Sequence, residues 1–140
     1  MTTLGDLIRA LAGADWDRAD TLVEELDRVN WEGGLQVVGA AFAVAVNRRF
    51  GPDTTPADVA RYVSSARAHY RDGDTLPALE MEGLIRAALG EPELADNIAP
   101  DLALGVEVFI LGQLLQDSHL TPEQLDEFVT EAERTAAEYR

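Results

Sequence analysis

Glu107 is the residue whose setting most invites a chemical reading. At about 100° per residue it falls on a helical arc shared with Ala103, Leu104, Ile110, Leu111 and Leu114. A carboxylate on so apolar an arc must be paired, neutralised or brought to water. The matching arc of an upstream helix carries Arg48, so the leading expectation is a structural Glu107–Arg48 or Glu107–Arg49 ion pair. The alternative is a carboxylate-based divalent-metal enzyme, with Glu80, Glu82 or Glu107 around the ion. Other catalytic constellations find no support. His69 and His119 are the only histidines, and no His-x-x-x-His or Glu-x-x-His spacing exists for zinc or di-iron chemistry. There is no cysteine, hence no thiol nucleophile, disulfide or Cys-based metal site. Gly33-Gly34 lacks the Lys-Ser/Thr of a phosphate-binding loop, and no Gly-x-Ser-x-Gly elbow occurs. No cofactor is expected.

A second candidate arises from a weak internal repeat. Residues 39–71 recur at 105–137 without a gap, through Gly39/Gly105, Thr55/Thr121, Pro56/Pro122, Val63/Val129 and Ala66/Ala132. Each Thr-Pro step follows a loop and opens a helix, the layout of a degenerate calcium hand. With Leu120 at the eighth loop position, ligand positions one, three, five and twelve fall on Gln113, Leu115, Asp117 and Gln124. In the first copy they fall on Asn47, Arg49, Gly51 and Asp58. Calcium needs several hard oxygen ligands and a bidentate acid at position twelve, a full set that neither loop supplies. Calcium binding is therefore rejected. The joints, Thr55-Pro56 and Thr121-Pro122-Glu123, resemble those of bacterial tellurite-resistance (TerB-like) domains, which carry helix–loop–Thr/Ser-Pro-Glu units in tandem. The resemblance covers these joints alone and implies no function for this chain.

The elements that must position these residues are helical. Apolar spacings of three and four residues predict helices at 4–12, from Asp15 onward, at 31–50, from Pro56 onward, at about 77–89 and 100–116, and from Pro122 onward. A short turn of helix is expected within 91–97. Thr55-Pro56 with Asp58, and Thr121-Pro122 with Gln124, are capping signatures. The third and sixth helices are apolar all round, which predicts burial. Gly39, Gly105 and Gly112 are expected to let them approach closely, and short connections favour antiparallel packing of neighbours. Trp16 and Trp31 bracket the second helix; they are core residues or, if exposed, a binding patch. The predicted fold is all-α: six or seven helices in one compact domain over residues 1–140, as two pseudo-symmetric repeats around two buried apolar helices.

Charge narrows the partners. The 140 residues carry a net charge of −15, and every one of the 11 cations is arginine, a composition expected of a GC-rich bacterial genome. Residues 91–140 hold 12 acids against 2 arginines. A field of this sign repels phosphate backbones and anionic membrane surfaces, so neither nucleic acid nor membrane is expected as a partner. The longest apolar run, residues 35–46, is shorter than the ~20 residues that span a bilayer. The first residues lack a signal-peptide pattern, so a cytoplasmic location is expected. The favoured reading is a non-enzymatic protein-interaction or regulatory module with another, basic protein as partner. An oligomeric structural protein, such as a homodimer, is the further alternative.

Overall fold

In a computed structural model, residues 3–29, 35–69 and 77–138 are described, and they form seven α-helices with no strand among them. These are α1 (Thr3–Ala12), α2 (Trp16–Arg28), α3 (Leu35–Arg49), α4 (Pro56–His69), α5 (Ala78–Ala88), α6 (Pro100–Ser118) and α7 (Pro122–Glu138). A 3-10 turn, Pro92–Ala95, falls within the short helical segment expected there. Trp31 and Gly33-Gly34 lie outside the described residues.

One buried cluster draws on every helix. Helix α3 contributes Val38, Ala41, Phe42 and Val46, and α6 contributes Val106, Ile110, Leu111 and Leu114. Each fully buried side chain of this size is worth about 1.5–3 kcal/mol against exposure. Helix α3 lies at the centre, packed most extensively against α7 and α6 and also against α5. This fits its sequence, which is apolar on every side over 37–46.

Three expectations need correction. The chain does not simply fold back at the Thr-Pro joints: α7 packs along α3 and α4 along α5, rather than each on the helix just before it. Proline at the first helical position forces an extended residue ahead of it, so the chain turns a corner there. Gly39 and Gly105 do not mediate close approach, since a Cβ on either would meet nothing within 4 Å. Gly112 does sit in a contact, but beneath Leu11 and the Trp16 ring rather than against α3. The glycine that admits a close approach is Gly83, where a Cβ would lie 3.3 Å from the Leu94 carbonyl oxygen. Its absence lets the 3-10 turn lie down on α5.

The first helix ends at Ala12, as its spacing predicts. The Asp15 N–H donates to the Ala10 carbonyl (2.9 Å) and the Ala14 N–H to that of Leu11 (3.2 Å), a Schellman closure. Its left-handed position is held by Ala14, at φ 56°, rather than by a glycine. Asp15 then caps α2 by accepting from the Arg18 N–H. The same closure ends α5, with Gly90 at the left-handed position and Glu91 donating its N–H to Arg86. There the Arg86 guanidinium also grips the Glu91 carboxylate with two hydrogen bonds, of 2.7 and 3.0 Å. That contact holds Glu91 below the usual carboxylate range.

Candidate functional site

The two Thr-Pro joints carry the best-defined local chemistry of the chain. At the first, the Thr55 N–H donates to Asp58 Oδ2 (2.9 Å) and the Asp58 N–H to Thr55 Oγ1 (3.2 Å). At the second, the Thr121 N–H donates to Gln124 Oε1 (3.0 Å) and the Gln124 N–H to Thr121 Oγ1 (3.1 Å). Both are reciprocal capping boxes, in which residues at the twelfth position of the rejected calcium loop serve the backbone instead.

The first box forms one wall of a cleft of about 530 Å³. The C-terminal end of α3 supplies Arg49 and the following loop Phe50 and Thr54. Helix α4 supplies Asp58, Arg61, Tyr62 and Ser65, and the last turn of α6 supplies Asp117. Its floor is aromatic and rigid. The Phe50 and Tyr62 rings meet edge to face, with centroids 5.4 Å apart at 89°. The Arg49 guanidinium lies over both rings, 5.2 Å from the Phe50 centroid and 5.7 Å from that of Tyr62. Such contacts satisfy the guanidinium face and leave its in-plane N–H donors for other partners.

The charges of the cleft divide into a closed pair and two open groups. Arg61 bridges to Asp58, whose carboxyl is held below its ordinary range, chiefly by the Thr55 N–H it accepts. No ion pair joins Arg49 or Asp117 to any described residue. Both nevertheless act on the Tyr62 hydroxyl. Burial chiefly raises its proton affinity, Asp117 adds to that, and Arg49 opposes it. This hydroxyl is buried and makes no hydrogen bond among the described residues. An unsatisfied buried hydroxyl costs about 1–3 kcal/mol.

Glu107 stands apart from this cleft. It is half-buried on α6, and desolvation pushes its pKa up to about 7. The expected pair with Arg48 or Arg49 does not form. Arg48 bridges instead to Glu131 of α7 and lies 5.3 Å from the Phe128 ring centroid. Arg48 is engaged by α7, through Glu131 and the Phe128 ring, and Arg49 faces the cleft, so neither is paired with Glu107. Among the described residues, no three histidine or carboxylate side chains gather closely enough to hold a metal ion, so Glu80, Glu82 and Glu107 do not form a ligand group. Trp16 is 48% exposed, and the edge of its ring reaches Gly112. It is thus partly a packing residue of the α1–α6 contact and partly surface. Its expected companion Trp31 lies outside the described residues.

The outer side of α7 forms a second feature. Its buried stripe is Phe128, Val129, Ala132 and Ala136. Asp126 and Glu131 turn back to Arg9 and Arg48 and tie α7 to α1 and α3. Glu123, Glu127, Glu133 and Glu138 are exposed and join no ion pair with a described residue. Among the described residues no helix is long and apolar enough to cross a membrane.

No family model, no curated protein and no solved structure is significantly similar to this chain. Any functional reading therefore rests on its own residues. Sequence reasoning read Tyr62 only as a packing residue, did not single out Thr54 or Ser65, and met Arg49 as a partner for Glu107 and, with Asp117, as an unsuitable calcium ligand. The available signal was Tyr62 itself: a tyrosine in an otherwise aliphatic stripe brings a hydroxyl that requires a partner.

Proposed function

We propose that the protein is a non-enzymatic interaction module of the cytoplasm that binds a basic segment of another protein across the outer side of α7. The observation that carries this reading is the set of four exposed, unpaired glutamates on that helix, with Arg134 as the lone described cation on it. Paired acids hold α7 in place, so the remaining ones are free to face a partner. Complementary charge of this kind speeds encounter and sets orientation more than it adds affinity. Rim charges also make binding sensitive to salt.

The test uses wild-type protein and a Glu123→Lys/Glu127→Lys/Glu133→Lys variant as parallel baits, with retained proteins identified and their binding measured at 50 and 200 mM NaCl. The expected result is a partner with a lysine- or arginine-rich segment whose affinity falls at the higher salt and falls at least tenfold in the variant. The three positions are exposed, so the variant keeps the wild-type helical spectrum. A partner held equally by both baits and indifferent to salt overturns the reading.

A further inference from the structure

We propose that the Arg49–Asp117 cleft is a binding site for a small zwitterion of the α-amino-acid type, with the ligand carboxylate on the Arg49 guanidinium and its ammonium group on the Asp117 carboxylate. The argument does not depend on the protein partner proposed for α7.

The cleft holds two charges of opposite sign that face one space without pairing with each other. The Arg49 guanidinium lies 5.2 Å from the Phe50 ring centroid and 5.7 Å from that of Tyr62, two rings perpendicular to each other, and it makes no ion pair with a described residue. Its N–H donors can therefore recognise a ligand carboxylate through two parallel hydrogen bonds. Asp117 then remains as the acceptor for an ammonium group. The other two charges, Arg61 and Asp58, are already joined and add no net demand.

The remaining features agree with that ligand. The Tyr62 hydroxyl is a buried donor without a partner beside both charges. A ligand carboxylate on Arg49 would supply the acceptor it lacks once the side chains that now close this hydroxyl off from solvent move aside. The rings of Phe50 and Tyr62 offer an apolar surface for a short side chain. A volume of about 530 Å³ falls within the ordinary range for small-ligand sites. Net charge decides between zwitterion and simple anion. The chain carries −15, so its field opposes a free anion, whereas a neutral zwitterion meets no such long-range penalty.

Calorimetric or NMR titration of the full chain with the twenty common L-amino acids tests this directly. For whichever binds best, the N-acetyl derivative, which lacks the ammonium group, and the amide derivative, which lacks the carboxylate, serve as controls. At least one free amino acid is expected to saturate the site at millimolar concentration or below, with both derivatives weakened about tenfold or more. Asp117→Asn, at an exposed position outside the aromatic stack, and Arg49→Gln are each expected to lose about tenfold. Glu24→Gln, exposed on α2 and outside the cleft, should bind as wild type. Tyr62→Phe should keep the fold and weaken binding severalfold. Absence of saturable binding by every amino acid up to about 10 mM overturns the proposal. So does equal binding of the N-acetyl derivative, which would make the cleft a plain carboxylate site, or undiminished binding by Asp117→Asn.

Discussion

Replacing Glu107 with glutamine should stabilise the protein, and only above acidic pH. In the fold this carboxyl titrates at about 7, against 4.5 when free, because burial penalises its charged form. Between those values the unfolded chain has already released the proton while the folded chain still holds it. Folding stability contributed by this group therefore declines as pH rises from about 4.5, and the full loss is present above 7. Each tenfold difference in proton affinity is worth roughly 1.4 kcal/mol. The gap would amount to about 3 kcal/mol, trimmed toward roughly 2 by the part of the side chain that reaches water. Glutamine has the size of the neutral acid and never ionises. Urea unfolding followed by circular dichroism, on wild type and Glu107→Gln at pH 4, 5, 6, 7 and 8, isolates the effect. All other acids are common to the two proteins and cancel in the difference. The difference is expected to be near zero at pH 4 and to reach about 2–3 kcal/mol in favour of the variant at pH 8. A difference that stays constant across this range refutes the assignment. A variant that grows less stable with rising pH refutes it more strongly, because that would mean a cation holds Glu107 in its charged form.

Three further outcomes follow from backbone and capping geometry. Ala14→Gly relieves a left-handed alanine and should raise stability by about 1 kcal/mol in urea unfolding, whereas an unchanged midpoint would show no strain at that turn. Gly105→Ala adds a Cβ in open space on α6 and should gain up to about 1 kcal/mol. Gly83→Ala must displace the Leu94 carbonyl, so it should gain less or lose stability, and equal gains at both sites would contradict the packing of the 3-10 turn on α5. Thr55→Ala and Thr121→Ala each remove one half of a capping box and should each cost about 1 kcal/mol in thermal unfolding. A loss at one joint alone would mean the two boxes are unequal in solution.

What the sequence revealed depended on how local the information was. Helix periodicity and the two capping boxes were legible because they are set by residues three or four apart. The burial of α3 was legible because its apolar middle leaves no polar face to present to water; α6 is buried only on the side of Val106, Ile110, Leu111, Leu114 and Leu115, and Leu102 is exposed. The partner of each arginine was not legible, since it depends on which helix brings a side chain to it. Sequential reasoning paired Arg48 with α6, and Arg48 is instead engaged by α7, through Glu131. The cleft was hidden for the same reason. Asp117 is separated from Arg49 by two intervening helices, α4 and α5, and no spacing rule links the two. The glycines misled in another way. Gly39 and Gly105 occupy matching places in the repeat, yet neither faces a neighbour, whereas the close contact falls on Gly83 outside the repeat.

The two joints show why only one of them could become a site. Their local chemistry matches box for box, but their cover differs. In the second, Phe128 is buried and lies beneath Arg48 of α3, with α7 packed extensively on that helix. In the first, the equivalent residue is Tyr62, and α4 leans on α5 with no comparable helix closing its outer side. At this uncovered joint several positions are polar where the covered one is apolar: Arg49 stands where the other copy has Leu115, Tyr62 where it has Phe128, and Thr54 where it has Leu120. Leu115 and Phe128 are buried, while Arg49 is exposed. A hydroxyl and a guanidinium placed under α7 would each incur a desolvation cost that the uncovered joint avoids. The lighter cover of the first joint is therefore what tolerates polar residues there. It leaves the first joint open to a ligand, while the second is committed to holding α7 against α3.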